Sequence, residues 1–441
     1  MQHAPLQHDP YAAFRLPDFR RLAGTWFLIG LTMRMQPVVL GWHLYERSGS
    51  AMAIAWVGVV QFLPGVLLFL PAGHLADRHD RSTLLSISLA IAALSSTLLA
   101  LAALMEADAL WLYGACFVSS VGMALNRPSR TAILPSLVPT RSLSNAVAWS
   151  AGLLQVASFT GPSVAGTLIA WSGGATAGYC AIATSAVLGF ALSLRIRPCP
   201  PPAEELAAAG RSTGLAYLMG GVRHILSTPV IGVPLTVDMM VVMFGAALGL
   251  LPVYAKDILQ VGPTGLGWLA SAPAIGAISM ILVLNHRPES RRPGVRFLWA
   301  IAGYGVALLV FALSRWFPLS MAALAAMGAL NSISVVTRHT VLQARTPPAL
   351  RGRVSSANGV FSGASSELGQ FEAGALASLT TPTAAVLLGG GFILAMTAYT
   401  ARRFPELRRL ATLTGSAADR EEQPTAGRET PAAPTRTTTR Q

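Results

Sequence analysis

Four ionisable residues stand inside stretches of chain that are otherwise apolar: Arg34, Asp238, Glu367 and Glu372. Near the centre of a bilayer such a charge costs at least about 2.5–3.5 kcal/mol, so each position is expected to carry chemistry. Asp238 lies in Leu235-Thr-Val-Asp238-Met-Met-Val-Val242, about ten residues or about 15 Å into its helix. A carboxylate at that depth is costly to ionise unless a cation is near. It can load and release a proton, or it can sit in a fixed ion pair, with Arg34 as the partner. Glu367 and Glu372 are separated by roughly 140° around a helix and cannot face the same point. One is expected to face a cavity and the other a neighbouring helix.

The elements that must hold these charges follow from composition. Of the 441 residues, 53% are hydrophobic and 12% charged, and the mean hydropathy is +0.53, whereas a soluble chain carries about 25% charged residues. The sequence therefore describes an all-α membrane protein. A spanning helix needs about 20 mainly apolar residues, and about twelve runs qualify. They are 22–45, 51–72, 83–105, 109–134, 144–171, 175–195, 229–254, 264–285, 295–314, 317–341, 354–379 and 383–402. Between the sixth and seventh, Arg195 to Arg211 holds Pro198, Pro200, Pro201, Pro202, Glu204 and Glu205. The chain thus divides into a segment 1–21, a six-helix bundle 22–195, a linker 196–228, a second six-helix bundle 229–403 and a tail 404–441. The tail is Thr, Ala, Pro and Arg without an apolar period and is expected to be disordered. The first residues, broken by Pro5, Pro10 and Pro17, lack the apolar region and cleavage site of a signal peptide, so the first apolar run is expected to be retained. Cys116, Cys180 and Cys199 have no metal-ligand or redox spacing, so they are assigned to packing, and no metal is expected.

Charge placement gives the orientation. Lys and Arg number 32 against 19 Asp and Glu, a balance that in a soluble chain would suggest nucleic acid. Here it is explained by the enrichment of basic residues in cytoplasmic connections. With both termini inside, the outer connections hold Arg47, Lys256 and Arg315, while Arg20, Arg21, Arg78, Arg81, Arg195, Arg197, Arg291, Arg292, Arg351, Arg353, Arg402 and Arg403 are among those inside. No nucleic-acid partner is expected. Lys256 is the single lysine, a hint of a GC-rich bacterial genome, and the expected location is a bacterial inner membrane, with lipid and a small molecule as partners of a monomer.

An internal repeat supports the same division. The run from Arg130 to Pro139 aligns with that from Arg338 to Pro347 at an offset of 208, which also carries Gly161 to Gly369 and Gly166 to Gly374. Trp56 and Trp268 correspond at the slightly larger offset of 212. Two homologous six-helix halves imply a transporter, with its substrate near the midplane where they meet.

Between the second and third spans stands Pro71-Ala-Gly73-His-Leu75-Ala-Asp77-Arg78-His-Asp80-Arg81. Glycine permits close approach of helices around a tight turn, and Asp77 with Arg78 and Arg81 supplies charges suited to a breakable clasp; a solvated, orienting loop is the plainer reading. The run resembles the signature of the major facilitator superfamily, with Asp80 in place of its second glycine and Ser82 in place of its final basic residue. Asn285 to Arg292 is a degenerate counterpart. Pro128-x-Arg130-x-Ala132-x-Leu134-Pro135 and Leu342-Gln343-x-x-Thr346-Pro347-x-x-x-Arg351-Gly352-Arg353 are similar to the branch holding siderophore exporters and drug–proton antiporters. The resemblance implies export driven by proton exchange, with no nucleotide hydrolysis and no cofactor beyond the proton gradient. It also implies that Asp77 and Arg81 grip the segment from Arg351 to Ser356 in the outward-open state. Gly161-Pro162 with Gly166 resembles the antiporter signature of the fifth helix, although Ala148, Ala157 and Ala165 stand where that signature has glycine. The motif is either a functional bend or small-residue packing.

At the inner ends of the fourth and tenth helices, Arg127, Arg130 and Arg338, with His339, are suited to snorkelling. Arg130 and Arg338 are related by the repeat, so they can also form inner-gate or anion-binding positions. Gln36, Gln61, Asn126, Gln155, Asn331 and Gln370, with Trp42, Phe62, Met33, Met35, Met239, Met240 and Met243, offer a broad adaptable pocket. An embedded enzyme is disfavoured, because no phosphate loop, His-Glu-x-x-His or Gly-x-Ser-x-Gly occurs. An importer or facilitator of the same fold stays open.

Overall fold

The computed structural model describes residues 9–201, 215–286 and 292–405. Fourteen helices carry the described chain: α1 Pro17–Ser48, α2 Ala51–Leu67, α3 Phe69–Arg78, α4 Arg81–Leu104, α5 Ala109–Leu137, α6 Thr140–Ser172, α7 Thr176–Ser193, α8 Leu215–Ser227, α9 Pro229–Phe244, α10 Gly262–Asn285, α11 Pro293–Leu313, α12 Phe317–Arg345, α13 Pro348–Leu379 and α14 Pro382–Arg403. Seven of them, α1 and α9 to α14, begin with proline at one of the first two positions. A missing N–H costs nothing there and the ring presets the backbone. Gly49 ends α1 and Gly173 ends α6 with φ of 61° and 71°, the left-handed cap that side chains avoid.

Nine spans among the described residues are long and apolar enough to cross a membrane, counting α9 with the turns that follow it. Ala51–Leu67 is a shorter apolar helix, and α1 and α13 are long enough but more polar, which completes the twelve expected spans. The polar helices are the ones that carry Arg34, Glu367 and Glu372. In two places the expected spans are broken. The second divides at Leu68 into α2 and α3. The seventh ends as an α-helix at Gly245 and continues through a 3₁₀ turn at Ala247–Leu250, one α turn at Leu251–Val253 and a π turn at Tyr254–Ile258. Within the stretch read as a linker, α8 lays Leu218, Val222 and Ile225 against Leu350 and Val354 of α13.

The halves meet along two seams, α2 with α13 and α6 with α10. A Cβ added to Gly166 would lie 2.3 Å from the carbonyl oxygen of Pro263 and 2.9 Å from Gly267, and one added to Gly374 would lie 2.7 Å from Ala55 and 2.9 Å from the carbonyl oxygen of Ala51. These seams are copies of each other. Gly166 and Gly374 are related by the 208 offset, while Ala51 and Ala55 map to Pro263 and Gly267 at 212. Both seams lie toward the end opposite the basic connections, hereafter the far end. There the core runs across both halves, through Trp42, Tyr179, Tyr254 and Phe311.

Candidate functional site

Between the seams lies a cavity of about 1150 Å³, large beside the roughly 300–1,000 Å³ of most small-molecule sites. It opens at the basic end, where Gly73, His74 and Arg81 of the first half and Leu218, Ser355 and Ser356 of the second line its mouth. Arg34, Gln36, Gln61, Phe62, Arg127 and Gln155 line the first half's wall, and Tyr304, Asn331, Glu367 and Gln370 the second's.

The first wall is cross-braced. Gln36 accepts from the Ser119 hydroxyl at 3.2 Å, and its amide and that of Gln61 point to the Cys116 sulfur at 3.9 and 3.2 Å. Cys116, assigned only to packing from the sequence, is thus the node joining α1, α2 and α5. On the second wall the broken seventh span contributes Gly245, Ala246, Leu248 and Gly249. Irregular backbone at membrane depth is tolerated where it lines a cavity, because the freed polar groups can be met there. The Tyr304 hydroxyl donates to the carbonyl of Gly245 at 3.2 Å. A continuous helix was expected over this stretch, although Gly245, Gly249 and Pro252 were legible as interruptions.

The ionisable residues separate into distinct settings. Glu367 faces the cavity, accepts weakly from Gln370 at 3.4 Å and feels the charge of Arg127. Glu372, half-buried, lies outside the cavity lining, as their angular separation anticipated. Asp238 also lies off the cavity. Its carboxylate accepts from Ser334 at 2.8 Å and stands 3.2 Å from Nε of Arg338, whose other nitrogen donates to Asn358 at 2.5 Å. The fixed partner of Asp238 is therefore Arg338, in its own half, and not Arg34, which lines the cavity. Arg130 is off the lining and places its guanidinium 5.7 Å from the centre of the Trp26 ring.

The small-residue motif of α6 resolves into two contacts. Gly161 fits against the Cβ of Arg34, 2.8 Å from where its own Cβ would be, and Gly166 forms the α10 seam. Pro162 lines the cavity between them, and the helix runs through it unbroken. Of the expected pocket residues, Met33, Gln155 and Asn331 line the cavity, whereas Trp42 and Met35 are packed in the core and Asn126 donates to Ser88.

The signature run forms α3 and the start of α4. Gly73 is half-buried and Leu75 and Arg78 exposed. Asp77 belongs to α3 by its backbone, and its side chain lies outside the described residues. Arg81 is buried and donates to Ser136 of α5 at 3.1 Å, while Ser355 and Ser356 stand on the other side of the open mouth. Asp80 caps α4, accepting from the Thr83 N–H at 2.8 Å and from the Ser82 and Thr83 hydroxyls. Partial burial pushes its carboxyl up, and these hydrogen bonds outweigh that and hold it below its ordinary range.

One polar contact at the far end escaped the sequence reading. The Tyr45 hydroxyl of α1 donates to the Asp257 carboxylate in the π turn, joining the halves, and Lys256 lies 5.7 Å from the Tyr45 ring centre. The signal available was a Lys-Asp pair at the end where charge is scarce.

Two pseudo-symmetric six-helix halves around an interfacial cavity define the architecture of a secondary transporter. The Major Facilitator Superfamily profile matches residues 22–370, and the chain belongs to that family. It is 27% identical over 399 residues to the enterobactin exporter EntS of Escherichia coli O6:K15:H31, covering 88% of this chain and 92% of that one. The EntS of Shigella boydii is 26% identical over 386 residues, with 86% and 89% covered. Among solved structures, a bacterial homologue of the human lysosomal transporter Spinster in an inward-facing, occupied conformation superposes with a TM-score of 0.69 at 15% identity, covering 91% of this chain and 99% of that one. The peptide transporter POT superposes at 0.70 with 15% identity, covering 90% and 96%. The chain is thus a multi-pass membrane transporter.

Proposed function

We propose that this transporter exports a siderophore or another small amphipathic, drug-like compound from a bacterial cell by alternating access, in exchange for protons. The cavity carries the reading: one volume between repeated halves, open at the basic end and sealed at the far end, with Glu367 its single carboxylate among the described lining residues. The positive-inside rule makes the open end cytoplasmic and puts both termini there, so the conformation is inward-facing and ready to load. Glu367 is the group best placed to exchange a proton, because it meets water and substrate through the cavity and Arg127 reaches it from the other half. Asp238 is already committed to Arg338. The proton gradient is the energy source, and a monomer holds the whole path. Likeness to the enterobactin exporters supports the direction and the substrate class.

Loss of the gene is expected to raise the intracellular level of the compound; a fall would indicate import. In everted vesicles under an imposed proton gradient, Glu367→Gln is expected to reduce uphill transport by at least about a hundredfold, on the scale of a lost general acid–base group, while substrate-driven counterflow persists. Undiminished uphill transport would remove Glu367 from the coupling.

A further inference from the structure

We infer that the substrate is an organic anion and that its charged group seats on Arg34; this deepens the exporter reading and rests on it. The described lining of the cavity holds three arginines, Arg34, Arg81 and Arg127, against the single carboxylate of Glu367. Arg127 and Glu367 already act on each other across the cavity. Arg34 is different. It stands about 26 Å along the 32-residue α1, near its midpoint, and it makes no ion pair or hydrogen bond among the described residues. Gly161 presses on the root of its side chain, and the guanidinium extends into the cavity.

A guanidinium cannot escape this position by losing its proton, because it stays charged throughout the range in which proteins function. Neighbours add to the cost: Arg127 and Arg34 both repel Arg130, which rests on the Trp26 ring instead of on an acid. The other half shows how the fold treats such a charge when it is structural: Arg338 is matched by Asp238 and Asn358 and closed off from the cavity. Arg34 is left open to the cavity and unmatched, so the compensating charge arrives with the ligand. The planar fork of arginine fits a carboxylate or another pair of adjacent anionic oxygens. Met33, Phe62, Phe69, Met123 and Met327 along the same lining suit an apolar or aromatic body attached to it. The class assigned is therefore an amphipathic organic acid.

The test uses the purified full-length chain in a neutral detergent and pairs of probes with one shape and different charge: 2-naphthoate with 2-naphthamide, and 4-biphenylcarboxylate with its amide. Binding is read by calorimetry and by the rise in unfolding temperature that a native-state ligand produces. The acids are expected to bind at least about tenfold more tightly than the amides. Arg34→Gln should erase that preference and Arg34→Lys should keep part of it. Titration with phosphatidylglycerol against phosphatidylcholine separates a lipid headgroup, which shares the anionic chemistry, from a soluble acid. Stabilisation by phosphatidylglycerol that Arg34→Gln abolishes, with the soluble acids bound equally by both forms, overturns the inference, and lipid stabilisation that the variant leaves in place belongs to another surface and supports it. Equal binding of acid and amide by the unmutated chain, a requirement that needs no variant to fold, overturns the inference, as does the absence of acid binding at millimolar concentrations. Energised transport of a neutral dye without any preference for acids would leave the exporter reading standing and remove this one. Acid binding without energised transport would do the reverse.

Discussion

Arg130 and Arg338 occupy matching positions in the two halves and are treated in opposite ways. In the second half Arg338 is buried in a closed set with Asp238, Ser334 and Asn358. In the first, Arg130 lies over the face of Trp26 and is repelled by Arg127 and Arg34. The 212 offset that aligns Trp56 with Trp268 also places Trp26 on Asp238, so one repeat position holds the ring in one half and the carboxylate in the other. In the second half the repeated arginine is neutralised within its own helices. In the first half, Arg34 stands beside the cavity without an acid partner among the described residues. Duplication supplied the scaffold of both halves, and the divergence of single residues decided which one keeps charge for a ligand.

The comparison breaks most severely at the carboxylate. Asp238→Ala leaves Arg338 buried beside Ser334 and Asn358 without its counter-charge, and is expected to lower stability by about 3–5 kcal/mol. Thermal unfolding in detergent reads the loss, and replacing both residues with apolar ones should restore much of it; equal loss in single and double variants would show that the pair is not the cause. At the seam between the halves, Tyr45→Phe deletes the hydrogen bond to Asp257. It is expected to shift the conformational balance toward opening of the far end by about 1 kcal/mol, or about fivefold. Spin labels at Ser48 and Thr380 would report the separation, and an unchanged distance distribution would discount the contact as a latch.

An effect of similar size is expected at the signature loop of the first half. Asp80→Ala removes the cap of α4 and should cost about 1 kcal/mol at neutral pH. Because the folded-state pKa is depressed, this contribution is fully present above the ordinary carboxylate range and is lost as pH falls below that range through the depressed folded-state pKa. The variant and the parent should therefore converge in acid, and a constant gap would assign the loss to packing. The smallest effect is expected at the ring: Trp26→Leu keeps an apolar contact and removes the cation–π interaction, costing about 0.5–1 kcal/mol. A loss as large as that of Asp238→Ala would mean that the halves do not differ in the way described.

Much of this was legible in the sequence for a local reason. A run of apolar residues announces a span whatever it packs against, and glycines at a repeated offset announce seams; Gly166 and Gly374 form them. Glu367 and Glu372 were separable by helix geometry alone, and one of them lines the cavity. The interruption at Gly245 was harder to see, because Val-Val-Met-Phe before it and Leu-Leu-Pro-Val after it read as one hydrophobic stretch. The amphipathic spacing of Leu218, Val222 and Ile225 in α8 was available, but it was masked by the prolines upstream that mark a linker.

The sequence by itself determined the membrane class, the six-plus-six division, the uneven placement of basic residues among the connections and the short list of charges that must be accounted for. These are sums over neighbours along the chain, and hydropathy and the positive-inside rule act on such sums. The tertiary structure alone decided which of those charges are matched. Asp238 meets Arg338 across 100 residues, a partner that no helical period can name, while Arg34 is left facing the cavity because no acid of the described chain reaches it. Pairing in a low-dielectric interior depends on separations of a few ångströms, and only the packing of distant helices sets those.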